Sequence, residues 1–237
     1  MVLSAFAHDS CPGAIAQGIM IFRNRQDAGQ RLAARLKNYT GRSDVLVLAL
    51  PRGGVPVAFE VAQQLKAPLD VFLVRKLGVP GHEELAMGAI ASGGTRVINE
   101  DVVRYLQIPS EIIDAVAANE QRELERRERE YRDGKPAPQV KDLVVILIDD
   151  GLATGSTMRA AAAALGKQNP SRIVVAVPVA PAETCEEFRK EVDEVVCAAT
   201  PEPFQGVGLW YDNFSQTSDE EVRQLLHRAN PERRRAA

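Results

Sequence analysis

The sequence predicts an α/β fold, an open and mainly parallel twisted sheet flanked by helices, with a helical insertion and a small hood. Three observations lead there. Residues 45–50 and 143–148 are unbroken apolar runs of strand length, the pattern of strands covered on both faces rather than on one. Each run ends in a glycine-bearing turn and is followed by a helical period. Strand and helix patterns then alternate along most of the chain, as βαβ crossovers require.

Taken in order, residues 27–37 have helical spacing, with Asp27 placed to cap them. The run 45–50 ends in Pro51-Arg52-Gly53-Gly54. A helix is expected over 57–65 and a second buried strand over 69–74. Residues 75–94, rich in glycine and charge, read as a long loop or a flexible hairpin. From 101 to 132 the pattern is helical, first around 102–106 and then in a long charged helix after Pro109. The dense Glu and Arg of 119–132 fit a solvated helix with i,i+4 pairs, a subunit contact, or an arginine reaching a phosphate. Residues 134–138 form a proline-rich linker. Beyond it come a strand over 143–148, a helix over 157–167, a strand over 172–177, a helix over 183–190 and a strand over 192–198. A last amphipathic helix spans 218–227, where Ser218 and Glu221 form a capping-box signature. The expected organisation is a loose extension over 1–20, one domain over 21–228 and a charged tail over 229–237. Within that domain the helical insertion covers about 100–135 and the candidate hood 200–215.

At 237 residues, 45% hydrophobic and 26% charged, the composition is that of a soluble globular chain. A net charge of -3 gives no global pull toward nucleic acid or membrane. Cys11, Cys185 and Cys197 show no metal spacing and no disulfide framework, so reduced thiols are expected. No stretch resembles a signal peptide or a membrane span, and a cytoplasmic location is expected.

The chemistry concentrates in Asp149-Asp150-Gly151-Leu152-Ala153-Thr154-Gly155-Ser156-Thr157, between a buried strand and a helix. In open parallel sheets such loops hold ligands. Gly151 and Gly155 allow close backbone approach. The amides of residues 153–157, with the hydroxyls of Thr154, Ser156 and Thr157, are placed to surround a phosphate at a helix N-terminus. Two adjacent aspartates would repel a bare phosphate. A ribose 5-phosphate removes the conflict, because Asp149 and Asp150 then accept hydrogen bonds from the sugar hydroxyls. A Walker A loop needs a lysine that is missing here. A dinucleotide fingerprint needs a different glycine spacing, and an aspartyl-phosphate enzyme an Asp-x-Asp pair.

Residues 144–157 resemble the signature of the type I phosphoribosyltransferases: an apolar strand, two acidic residues, then Ala153-Thr154-Gly155-Ser156-Thr157. The resemblance extends over roughly residues 25–228. It is nearest to bacterial phosphoribosyltransferase-domain proteins whose acceptor is not established. It implies binding of phosphoribosyl pyrophosphate (PRPP) with Mg2+, held mainly through PRPP and waters near Asp149 and Asp150 rather than by direct protein ligands. Arg52, Gly53 and Gly54 then stand where the family keeps its pyrophosphate loop, which often holds a non-proline cis peptide. Lys76, in Val74-Arg75-Lys76, matches the start of a flexible catalytic loop and would neutralise departing pyrophosphate, with Arg75 a weaker candidate. His82 lies on that loop and reads more readily as surface. The acceptor site is sought in the aromatic cluster of residues 201–214, with Phe204, Trp210 and Tyr211 either stacking on a base or filling the core.

The expected reaction is transfer of the phosphoribosyl group from PRPP to a nitrogenous acceptor of the nucleobase kind. Lys76, Arg52, Asp149 and Asp150 would be its catalytic residues. A non-catalytic PRPP- or nucleotide-binding regulator and a hydrolase of a related sugar phosphate are the alternatives. Expected partners are PRPP and the small acceptor, with no nucleic acid or membrane, and a homo-oligomer is compatible with the charged helix.

Overall fold

A computed structural model describes residues 22–230. The proposed extension over 1–20, Cys11 and nearly all of the proposed tail fall outside them. The core is a five-stranded, wholly parallel sheet. Its strands are β1 (Val45–Ala49), β2 (Leu69–Val71), β6 (Val144–Ile148), β7 (Arg172–Val179) and β8 (Glu194–Ala199), in the order β2-β1-β6-β7-β8. Every residue of β1 and β6 is buried, because helices cover both faces, and this is why the two runs are apolar without alternation.

On one face α1 (Arg25–Arg35) packs on α2 (Gly54–Leu65), and α2 on α7 (Asp219–Ala229). Leu32, Val57, Val61, Leu65 and Val222 join Val47, Ile146 and Val174 in one core. On the other face α5 (Ser156–Gly166) presents Met158, Ala161, Ala162 and Leu165 to Leu48, Leu147 and Val175. The helix α6 (Ala182–Phe188) adds Cys185 and Phe188 to that second core.

Three details differ from the sequence reading. Helix α1 starts earlier, and its cap is Asn24, whose side chain accepts from the Asp27 amide. Asp27 lies inside the first turn, where it favours the helix dipole. The region read as a long loop or a flexible hairpin is a three-stranded antiparallel sheet, β3 (Val74–Val79), β4 (His82–Ala91) and β5 (Thr95–Ile98), in which β3 and β4 form a hairpin and β5 adds a third strand that was not expected. Its glycines hid the alternation. Gly81, Gly93 and Gly94 take positive φ at the two turns, and Gly88 lets the β5 backbone approach where a Cβ would meet Val97 O at 2.5 Å. The cysteine expectation also fails, since Cys185 on α6 and Cys197 on β8 form a disulfide. The two lie on adjacent elements that pack together, a proximity their twelve-residue separation does not reveal.

The helical insertion is α3 (Glu100–Leu106) and α4 (Ser110–Arg132). Helix α4 buries Ala117, Leu124 and Tyr131, a seven-residue stripe, and exposes i,i+4 pairs such as Glu123–Arg127 and Arg126–Glu130. Its last residue, Arg132, is buried and bonds Asp70 of β2 at 2.9 Å and Val71 O at 2.8 Å. That pairing fixes the insertion against the sheet edge. The predicted capping on α7 is present, as Ser218 Oγ accepts from the Glu221 amide. Among the described residues no helix is long and apolar enough to cross a membrane.

Candidate active site

Two turns meet at the carboxyl ends of neighbouring strands β1 and β6. The turn after β1 carries Arg52, Gly53 and Gly54, with the Pro51–Arg52 peptide cis. The turn after β6 carries Asp149 and Asp150. A Cβ on Gly53 would lie 2.1 Å from Asp150 Oδ2, and one on Gly54 would lie 2.7 Å from Ile148 O and 3.2 Å from Asp149 Oδ1. Both glycines are therefore required by the contact between the turns, a close approach that any side chain forbids. The sequence reading placed these groups in one site, and the structure brings them into contact.

Asp149 Oδ1 accepts from the Asp150 amide at 2.8 Å. Burial, and then the negative charge of Asp150, push the Asp149 carboxyl well above the usual carboxylate range. Burial also raises Asp150, opposed by the guanidinium of Arg25. Arg25 Nε and Nη2 both lie 2.8 Å from Asp150 Oδ2. Sequence reasoning missed Arg25, because nothing local marks an arginine 125 residues away as the partner of an acidic pair.

The second half of the loop is an open concavity. Ala153, Thr154, Ser156 and Thr157 are exposed, while Gly155 is buried with φ +72°. A Cβ at Gly155 would meet Phe188 Cε2 at 2.5 Å. Helix α6 supports the loop from below, with Thr184 Oγ1 donating to Ala153 O at 3.1 Å. Arg159 Nη1 donates to Thr154 O at 2.7 Å. The carbonyls thus face protein donors, and the free helix N-terminus faces outward, as anion binding needs. Gly151 is filled from above, since a Cβ there would meet Val207 Cγ1 at 2.5 Å.

Lys76 sits on β3, exposed, with Nζ 3.1 Å from Glu84 O and 3.4 Å from Glu84 Oε2. It lines a cleft of about 370 Å³ together with Ser156, Thr157, Ala160 and Asn99. Lys76 and the loop after β6 therefore share one cavity. Arg75 is tied to Glu120 of α4 at 2.6 Å and does not join them. His82 is exposed at the start of β4. Arg52 lies 3.8 Å from Asp219 at the N-terminus of α7, and the same carboxylate accepts from the Tyr131 hydroxyl.

The aromatic cluster divides. Tyr211 is buried between Phe22 and Phe214, and its hydroxyl donates to Asp150 O at 2.6 Å. It fills space beneath the acidic pair and offers no face to a base. Phe204 and Trp210 stack on each other at 6.3 Å and are half-buried, with Trp210 ending the 3-10 turn at Val207–Trp210.

The acidic pair offers oxygen donors, the ligand chemistry of Mg2+. No group of three or more metal-ligating side chains exists among the described residues. Asp149 and Asp150 are the carboxylates of this turn that would stand beside such an ion.

Comparison with known proteins agrees with this geometry. The phosphoribosyl transferase domain family matches residues 19–212. Proteins from two strains of Mycobacterium tuberculosis, each named "Putative phosphoribosyl transferase", are 48% identical over 210 residues, 89% of this chain. The aligned region is 47% of their length, so this chain spans about half of each. The crystal structure of TT1426 from Thermus thermophilus is 42% identical, with a TM-score of 0.77, covering 87% of this chain and 98% of that one. By family match, identity and fold, the chain belongs to the phosphoribosyl transferase domain family.

Proposed function

We propose that the protein is a Mg2+-dependent phosphoribosyltransferase that moves the phosphoribosyl group between PRPP and a nitrogenous acceptor of the nucleobase class, releasing pyrophosphate. The observation that carries this reading is the contact of Gly53 and Gly54 with Asp149 and Asp150. It supports a site in which the turn assigned to pyrophosphate adjoins the turn assigned to ribose, with the helix N-terminus assigned to the 5-phosphate following in the same loop. A ligand with phosphate at one end, a diol in the middle and pyrophosphate at C1 matches all three.

In the forward step the C1–O bond to pyrophosphate breaks and a bond from C1 to the acceptor nitrogen forms. The acceptor's displaced proton leaves to solvent or to a nearby base. Bound Mg2+ would neutralise charge on the pyrophosphate oxygens. The chain's own part is orientation and charge. The loop over 153–157 holds the 5-phosphate, Asp149 and Asp150 accept from the ribose hydroxyls, and Arg52 donates to the departing pyrophosphate. Lys76 leaves Glu84 and closes over the phosphates, a movement within reach of a side chain whose partner is exposed. Phe204 and Trp210 are the residues through which an acceptor would be sensed.

The test is calorimetry with PRPP and Mg2+, followed by pyrophosphate release in the presence of a panel of bases. Absence of PRPP binding defeats the reading. Binding without pyrophosphate release from any base supports a PRPP sensor instead.

A further inference from the structure

The acidic pair is held from outside the signature. Arg25 opens α1, and its guanidinium is largely enclosed, with a side chain 11% exposed. Two of its nitrogens converge on a single oxygen of Asp150, Oδ2. Its third nitrogen, Nη1, donates to Ser215 O at 2.7 Å. The guanidinium plane also covers the Phe214 ring, with 4.0 Å from Cζ to the ring centroid. All three nitrogens are therefore committed, and the planar group is gripped on its face. This is a high degree of immobilisation for a residue with four rotatable side-chain bonds, and it suits a fixed fork rather than a mobile substrate clamp.

The arrangement has a consequence for Asp150. Both nitrogens take Oδ2, so Oδ1 is not engaged by the guanidinium. The same Asp150 is bound at its carbonyl by Tyr211. Tyr211 in turn packs on Phe214, the ring beneath Arg25. One arginine thus joins the start of α1, the ribose turn and the strap over residues 211–215.

We propose that Arg25 is a positioning residue of the ribose site. It holds Asp150 by Oδ2 so that Oδ1 is presented to a sugar hydroxyl, and it links that presentation to the strap through Phe214 and Ser215. The proposal rests on the phosphoribosyl reading of the site. It assigns Arg25 no contact with phosphate, so its effect should be confined to the diol half of the ligand. The phosphate half, held by residues 153–157 and supported by Thr184 and Phe188, lies on different elements.

The experiment compares the dissociation constants of ribose 5-phosphate and inorganic phosphate by calorimetry, in wild type, Arg25→Ala and Arg25→Lys. Wild type is expected to bind ribose 5-phosphate more tightly than phosphate. Arg25→Ala should weaken ribose 5-phosphate by about tenfold, the scale of losing a charge-assisted pair, and leave phosphate within about twofold. Arg25→Lys keeps the charge but neither the fork nor the planar group over Phe214, and should fall between them. It also supplies the readout should Arg25→Ala fail to fold. Equal weakening of both ligands, or unchanged discrimination in a folded Arg25 variant, overturns the positioning role. Failure of wild type itself to prefer ribose 5-phosphate overturns the functional reading instead.

Discussion

The phenolic hydroxyl of Tyr211 donates a 2.6 Å hydrogen bond to the backbone carbonyl of Asp150. Burial, with the nearby Asp150 carboxylate, raises the phenol's pKa far enough that it stays a donor across the whole working range. Removing the hydroxyl leaves a carbonyl without its partner in a region water does not readily enter. Tyr211→Phe should cost about 1–3 kcal/mol in urea unfolding. It should also weaken PRPP binding, since the turn carrying both aspartates loses its anchor at the Asp150–Gly151 peptide. An unchanged urea midpoint would show that solvent replaces the bond.

Gly53 has no room for a methyl group. Its Cβ would fall 2.1 Å from an Asp150 oxygen that Arg25 already holds in place. Gly53→Ala should therefore push the two turns apart and lower PRPP affinity by at least about tenfold, with a stability loss of about 1–3 kcal/mol. Gly166→Ala, where a Cβ meets nothing within 4 Å, is the control and should leave binding unchanged.

The fold disfavours the charged form of Asp149. Its folded pKa is raised above the ordinary value of 3.8, first by burial and then by Asp150. The folded state accordingly binds this proton more tightly than the unfolded chain. Stability from this group is highest below pH 3.8 and falls as pH rises from there through the folded pKa. Asp149→Asn keeps the oxygen that accepts from the Asp150 amide and removes the charge. It should raise the urea midpoint of the ligand-free protein at neutral pH, with the gain shrinking toward pH 4, while abolishing the preference for ribose 5-phosphate over phosphate. A midpoint lowered at neutral pH would contradict this assignment of strain to the carboxylate.

Lys76 is paired only with exposed groups of Glu84, so replacing it should leave folding intact. Lys76→Ala should reduce pyrophosphate release by about 10²–10³-fold, as for other donors to developing charge, and leave urea unfolding within about 0.5 kcal/mol. Rates within threefold of wild type would remove Lys76 from the reaction.

The disulfide ties α6, which supports the loop proposed to hold phosphate, to β8. Cys185 lies one residue after Thr184, which bonds Ala153, and three before Phe188, which underlies Gly155. Reduction by dithiothreitol, or Cys197→Ser, should lower stability by about 2–3 kcal/mol. It should also weaken phosphate binding relative to the oxidised protein. Identical phosphate affinity in both redox states would show that packing alone holds α6.

By itself the sequence determined the parallel sheet and marked the two glycine-bearing turns, after β1 and β6, that meet at its carboxyl edge. Unbroken apolarity over residues 45–50 and 143–148, at strand length and ended by glycine-bearing turns, suits a doubly covered strand. The glycines, hydroxyls and aspartates of 149–157 sit next to each other in the chain, so their chemistry is local and readable. The tertiary structure decided everything that depends on contacts between distant segments. Arg25 meets Asp150, and Tyr211 turns inward to Asp150 O rather than outward to a base, because α1 and the strap over 211–215 close on the same turn. Cys185 and Cys197 pair because α6 crosses β8. The sheet of β3, β4 and β5 emerges from a segment too rich in glycine to show a strand period. Its order comes from pairing between strands and packing against α4 and α5, an energy that no window of sequence contains.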